Sequence, residues 1–93
     1  MSDPIVVINP NSTEAVTEAM SDALGGLRVP GGPEIECLPN PDGPPGVESQ
    51  ADADLAAVQV REIVARRANS ASAFVIACYS DPGIHAAREA TDK

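Results

Sequence analysis

Cys78 ends an apolar run, Phe74-Val75-Ile76-Ala77, and Tyr79-Ser80-Asp81-Pro82-Gly83 follows it with the composition of a turn into a helix. A thiol so placed lies at the carboxyl end of a strand, where open α/β sheets take their ligands. The positive end of the next helix would favour thiolate over thiol. Ser80 or Asp81 can cap that helix, and Pro82 suits its first turn. A thiolate there can attack carbon, or take a proton from a carbon beside a carbonyl. The plain alternative is a small packed hydrophobe, which describes most free cysteines.

Other polar groups should meet this thiol. Ile5-Val6-Val7-Ile8 is a continuous apolar run, the mark of a strand buried on both faces, and Asn9-Pro10-Asn11-Ser12-Thr13 follows it. Asn11 or Ser12 is expected to cap a helix, with Glu14 placed for a capping box with Asn11. The helix should run to Gly25-Gly26 with Val16, Met20, Ala23 and Leu24 inward. Glu34-Ile35-Glu36-Cys37-Leu38 alternates polar and apolar, which predicts an edge strand wet on one side, with Cys37 a packed residue beside Ile35.

Pro39 to Gly46 holds four prolines and two glycines, too many breakers for regular structure. A lid over a site and an ordinary surface connection are both open readings of it. From about Gln50 to Ala68 the positions Ala56, Ala57, Val60, Ile63 and Val64 recur at helical spacing, and Asp52, Asp54, Arg61, Glu62 and Arg66 fall elsewhere. Ala73 to Ala77 is the third strand, and a helix should start at about Pro82.

Strands alternating with helices predict right-handed crossovers and a parallel sheet, hence an α/β, three-layer lobe with strand order 2-1-3. The loops after Ile8 and Ala77 then emerge side by side at the crevice where the chain reverses. One site is expected from Asn9, Asn11, Ser12, Thr13, Cys78, Tyr79 and Ser80. Two helix N-termini facing it would stabilise a carboxylate or enolate oxygen.

Composition narrows the class. The chain has 93 residues, enough for one small domain or a piece of a larger one, and only 2% are aromatic, so alanine, valine and isoleucine must fill the core. Fourteen acidic against six basic residues, a net charge of −8, disfavour nucleic acid and anionic membrane surfaces as partners. No apolar run has the length of a membrane span and no basic stretch precedes an apolar one at the start, so a cytoplasmic location and free Cys37 and Cys78 are expected. The closing Ala90-Thr91-Asp92-Lys93 falls in a helical stretch without a stop signal and reads as a truncation.

Several chemistries fail on residues. Tyrosine-phosphatase chemistry wants an arginine where Ile84 stands, and a Walker loop wants glycines and a lysine where Asn9 to Thr13 stand. A receiver domain needs an acidic cluster, and only Asp81 is near. The single histidine, His85, has no matching ligand pair, so no metal is expected, and it reads as a helix-surface residue.

Together, Ile8-Asn9-Pro10-Asn11-Ser12-Thr13, Gly43-Pro44 with Val47-Glu48-Ser49, Ala77-Cys78-Tyr79-Ser80-Asp81-Pro82-Gly83 and Ala86-Ala87-Arg88-Glu89 resemble the aspartate/glutamate/hydantoin racemase family. Within it the likeness is to hydantoin and allantoin racemases, over essentially the whole chain. The resemblance implies a racemase that needs no cofactor, in which two cysteines flank the substrate's α-carbon, one removing a proton and the other returning one. Cys78 matches the first cysteine. Asn11 matches a position that binds the substrate's polar head, and Ser12, Thr13, Tyr79 and Ser80 line the same pocket.

The family fold has two similar lobes with the site between them, and this chain resembles the N-terminal one. The second cysteine would belong to the other lobe, and Cys37, in the body of a strand, does not replace it. The implied partner is a small carboxylate or hydantoin-like molecule, with a homo-oligomer or the other lobe completing the structure. A maleate-isomerase-like cis-trans isomerase keeps both cysteines and stays open. So does a non-catalytic lobe acting as a binding or assembly module. An arylmalonate-decarboxylase-like activity dispenses with a cysteine on this lobe, and Cys78 argues against it.

Overall fold

The structure, a computed structural model, describes residues 3–93. Strand β1 (Ile5–Ile8) leads to helix α1 (Glu14–Ala23), β2 (Ile35–Leu38), α2 (Gln50–Arg67), β3 (Ala73–Ile76) and α3 (Ile84–Ala90). The three strands form one parallel sheet in the order β2-β1-β3. This is the expected α/β class, topology and strand order.

The core lies on one face of the sheet. Val6 and Ile8 of β1 pack there with Val60, Ile63 and Val64 of α2, Ala71 and Ala87, and Leu38, Phe74 and Ile76 close against them. The helical spacing of α2 dictates this: Ala56, Val60, Ile63 and Val64 are its buried residues. Ser49 caps α2 by accepting from the Asp52 amide at 3.1 Å, and Asp52 accepts in turn from the Glu48 amide.

The opposite face is less covered. Helix α1 packs over β2, and its one buried residue is Thr17. Val16 and Ala23, expected inward, are exposed, while Met20 and Leu24 are half-buried. The cause is the position of α1, which leaves the β3 side of the sheet open, so that Val7, Met20, Ala23, Leu24, Val75 and Ala77 line an apolar groove of about 280 Å³.

Edge strand β2 departs from its pattern too. The register pairs Val6 with Glu36, so Glu36 sits on the α2 side, with its side chain still partly in solvent. Arg67 at the end of α2 meets its carboxylate in a two-pronged contact, both bonds 2.8 Å. These hydrogen bonds, reinforced by the guanidinium charge and opposed by partial burial, hold the Glu36 carboxyl below the usual range.

A carboxyl held lower in the folded than in the unfolded chain stabilises the fold above its unfolded pKa, and that contribution is lost as pH falls through the folded value. With both side chains partly wet, Glu36→Gln should cost about 0.5 kcal/mol near neutral pH. Urea melts of both proteins should differ at neutral pH and converge in strong acid. An equal gap at both pH values would deny the pair this role.

Candidate active site

The sheet register brings two loops together. β1 runs parallel to β3 with Ile8 opposite Ile76, and the Ala77 amide donates to the Ile8 carbonyl at 2.8 Å. The segments beginning at Asn9 and at Cys78 therefore leave adjacent strands at the same, carboxyl, end of the sheet. Helix α2 runs behind both. A larger recess, about 590 Å³, lies around Arg28, Pro33 and Glu36 at the amino end of β2. Ligands of open parallel sheets bind at the other end.

The first loop is organised by a buried amide. Asn9 is 1% exposed, and its Nδ2 donates to Asn11 Oδ1 at 2.9 Å and Thr17 Oγ1 at 3.0 Å. Its Oδ1 accepts from the Asn11 amide at 3.1 Å, and Asn11 Oδ1 accepts from the Thr13 amide at 2.9 Å. Two successive side-chain turns thus fold the loop. Thr17 faces inward on α1 because Asn9 needs an acceptor in the interior.

These bonds correct the expected caps. Helix α1 starts at Glu14 with Thr13 at its N-cap position, and no side chain caps it. Asn11 bonds one residue short of the helix, so no capping box with Glu14 forms. The amides of Asn11, Ser12 and Thr13 are all engaged, the Ser12 amide by the Pro44 carbonyl at 2.9 Å. The loop therefore offers side-chain donors where main-chain donors were expected. Since Asn11 Oδ1 accepts twice, its Nδ2 is turned elsewhere and, among the described residues, has no partner. Thr13 Oγ1 donates to the Pro45 carbonyl at 2.7 Å.

The breaker-rich segment is strapped onto the loop after β1. The Asn40 amide and side chain bond to the Asn11 and Pro10 carbonyls, Pro44 and Pro45 accept from Ser12 and Thr13, and Asn40 and Pro44 are buried. Asn40, Pro44 and Pro45 are the points at which it is tied to the loop after β1. Asn9, expected in the site, is the buried organiser of its loop, whereas Asn40 and Thr17 are not singled out by the sequence; the density of Asn at this end was the available signal.

The second loop is held differently. Cys78 is half-buried and unbridged, as is Cys37, and its Sγ lies 3.6 Å from Ser80 Oγ. The Asp81 amide closes a turn onto the Cys78 carbonyl at 3.1 Å. Helix α3 begins only at Ile84, with Gly83 as N-cap, so neither Ser80 nor Asp81 caps it and Pro82 precedes it. Its positive end is thus separated from Cys78 by a turn, and a helix end acts only over about one turn. Gly83 has φ +82°, and a Cβ there would stand 2.6 Å from the Ala57 carbonyl oxygen. The backbones of the loop and α2 touch because glycine permits it.

Of the other expected residues, Ser80 is exposed and lines a recess of about 310 Å³ with Val47, Ser49 and Ala53. Tyr79 is fully exposed, with its ring in solvent. His85 is exposed on α3. Among the described residues no three His, Cys, Asp or Glu side chains converge as metal ligands, and no helix is long and apolar enough to cross a membrane.

Comparison with known proteins adds to this geometry. The profile of the Asp/Glu/Hydantoin racemase family matches residues 5–93. The chain is 42% identical over 91 residues to a hydantoin racemase of Paenarthrobacter aurescens, covering 96% of this chain and 38% of that one. It is 41% identical over 90 residues to a hydantoin racemase of a Pseudomonas species, covering 96% and 36%. An allantoin racemase structure from Klebsiella pneumoniae superposes with a TM-score of 0.85 at 40% identity, over 95% of this chain and 36% of that one. The chain thus spans a little over a third of the length of these relatives.

Two outcomes test the site geometry. Cys37 lies mid-strand beneath α1 and Cys78 in a surface turn, so iodoacetamide should modify Cys78 at least about ten times faster. Peptide mapping of partially labelled protein reads the ratio, and equal rates would mean a closed Cys78. Gly83→Ala combines left-handed strain with a backbone clash and should destabilise the chain by more than about 1 kcal/mol in urea melts.

Proposed function

Because the chain belongs to the Asp/Glu/Hydantoin racemase family, we propose that it is the cysteine-bearing α/β lobe of a racemase for hydantoin- or allantoin-like amino-acid derivatives, working without a cofactor. The observation that carries this reading is the juxtaposition of Cys78 with the Asn-rich loop on neighbouring strand ends. Cys78 is the proposed base. Asn11, with an unengaged Nδ2 donor, is the proposed contact to a ring carbonyl, and Ser12 and Ser80 add hydroxyls beside it.

In the proposed step the Cys78 thiolate takes the proton from the carbon next to the carbonyl, forming an S–H bond. The C–H electron pair passes into the carbonyl, giving an enolate oxygen that Asn11 Nδ2 can stabilise. Neither loop, residues 9–13 or 77–83, contains a lysine or arginine. Such neutral donors suit an uncharged cyclic amide better than a dicarboxylate. Inversion requires a second acid on the opposite face of the carbon. Cys37, on β2 beneath α1, is not at this end of the site. We assign that acid, and the rest of the side-chain pocket, to a second lobe or a second copy beyond these 93 residues.

The 93-residue chain alone should therefore not racemise an enantiopure 5-substituted hydantoin. It should speed exchange of the C5 proton for deuterium in D₂O, with retention, in a manner abolished by Cys78→Ala. Polarimetry and proton NMR read the two together. Loss of rotation that depends on Cys78 would show that one lobe suffices. No Cys78-dependent exchange would favour a non-catalytic module.

A further inference from the structure

Asn40 is 2% exposed in a segment whose other residues read as loop formers. Its amide donates to the Asn11 carbonyl at 3.1 Å, and its Nδ2 donates to the Pro10 carbonyl at 2.9 Å. These two carbonyls flank Asn11. The other Nδ2 proton goes to Gln59 Oε1 at 2.8 Å, and Gln59 Nε2 donates to the Asp42 carbonyl at 2.8 Å. Gly43 makes room: a Cβ there would lie 2.4 Å from Asn40 Nδ2 and 2.9 Å from the Pro10 oxygen.

We propose that Asn40, oriented by Gln59, is the positioning residue that grips Asn11 by both flanking peptide groups and so aims the Asn11 amide at the substrate. The inference rests on the racemase reading for what Asn11 meets. Asn40 itself does not reach substrate through Nδ2, since both protons are engaged within the protein. Packing alone does not explain it, because burying an amide costs free energy that an apolar side chain would not. Two of its three donors are directed at one short stretch of backbone, the stretch that carries Asn11, and the third is held by Gln59. The isosteric change Asn40→Asp would set a carboxylate oxygen against two acceptors, so the donor and not the shape is required.

The test compares the intact chain with Asn40→Ala and the milder Gln59→Ala. Three quantities are measured: amide hydrogen exchange by NMR, affinity for 5-benzylhydantoin by NMR titration, and the iodoacetamide rate of Cys78. In Asn40→Ala, exchange at Ser12 and Thr13 should quicken by about tenfold or more while Val6 to Ile8 stay protected. The hydantoin dissociation constant should rise by about tenfold, the scale of one lost hydrogen bond. The Cys78 rate should stay within about twofold, since its turn is held separately. Gln59→Ala should move the same quantities less, and carries the test if Asn40→Ala does not fold.

Unchanged loop exchange in a folded variant, or unchanged affinity, overturns the proposal. So does a joint fall of affinity and Cys78 rate, which would report general loosening. If the wild-type chain does not bind the hydantoin, the racemase reading of this lobe fails, and loop exchange alone decides whether Asn40 holds Asn11.

Discussion

An amide removed from water must find partners inside the protein, and the carboxyl end of this sheet is arranged around two such amides. Asn9 and Asn40 are nearly fully buried, on the loops after β1 and after β2. Meeting their demands bends the loop after β1 into two side-chain turns, faces Thr17 of α1 inward, and draws the Pro-rich segment down onto Pro10 and Asn11. Main-chain donors that might have served a ligand are consumed in the process. The loop is left with its backbone donors engaged, and the Asn11 side-chain Nδ2 has no hydrogen-bond partner among the described residues.

The core beneath can hold this arrangement despite being made of small side chains. All of its strong packing lies between the sheet and α2 with α3, and it needs no aromatic beyond Phe74. β1, central and flanked on both sides by hydrogen-bonded neighbours, fixes where Asn9 begins. The other face carries α1 over β2 and an apolar groove beside Val75, so the sheet is packed on one side and partly open on the other.

Features set by periodicity or by continuous apolar runs could be read from the sequence. The run Ile5 to Ile8 marks a central strand, the spacing of Ala56, Val60, Ile63 and Val64 marks the buried face of α2, and their alternation implies the order 2-1-3. What periodicity cannot express escaped it. Val16 fits an inward helical stripe, yet α1 sits off-centre over the sheet. Thr17 is polar and buried because its partner Asn9 waits there, and Glu36 lies on the α2 side because Arg67 meets it. Ser80, Asp81 and Pro82 have the composition of a helix start, but the left-handed Gly83 postpones the helix to Ile84. Asn40 is indistinguishable by type from a turn residue; only its three-dimensional neighbours give it a role.

The two loops of the site are held by unlike means but against the same support. On the β1 side, the grip on Asn11 runs through Asn40 to Gln59. On the β3 side, the turn that carries Cys78 ends at Gly83, whose backbone rests on Ala57. Ala57 and Gln59 lie within a single turn of α2, and Val60 beside them is buried in the core. One turn of one helix thus registers both halves of the site to each other and to the hydrophobic interior. Two flexible loops would each need separate ordering before the proposed proton transfer between Cys78 and a substrate bound at Asn11 could occur. Anchored to one rigid element, they would meet with little further loss of conformational freedom, as the proposed proton transfer to Cys78 requires.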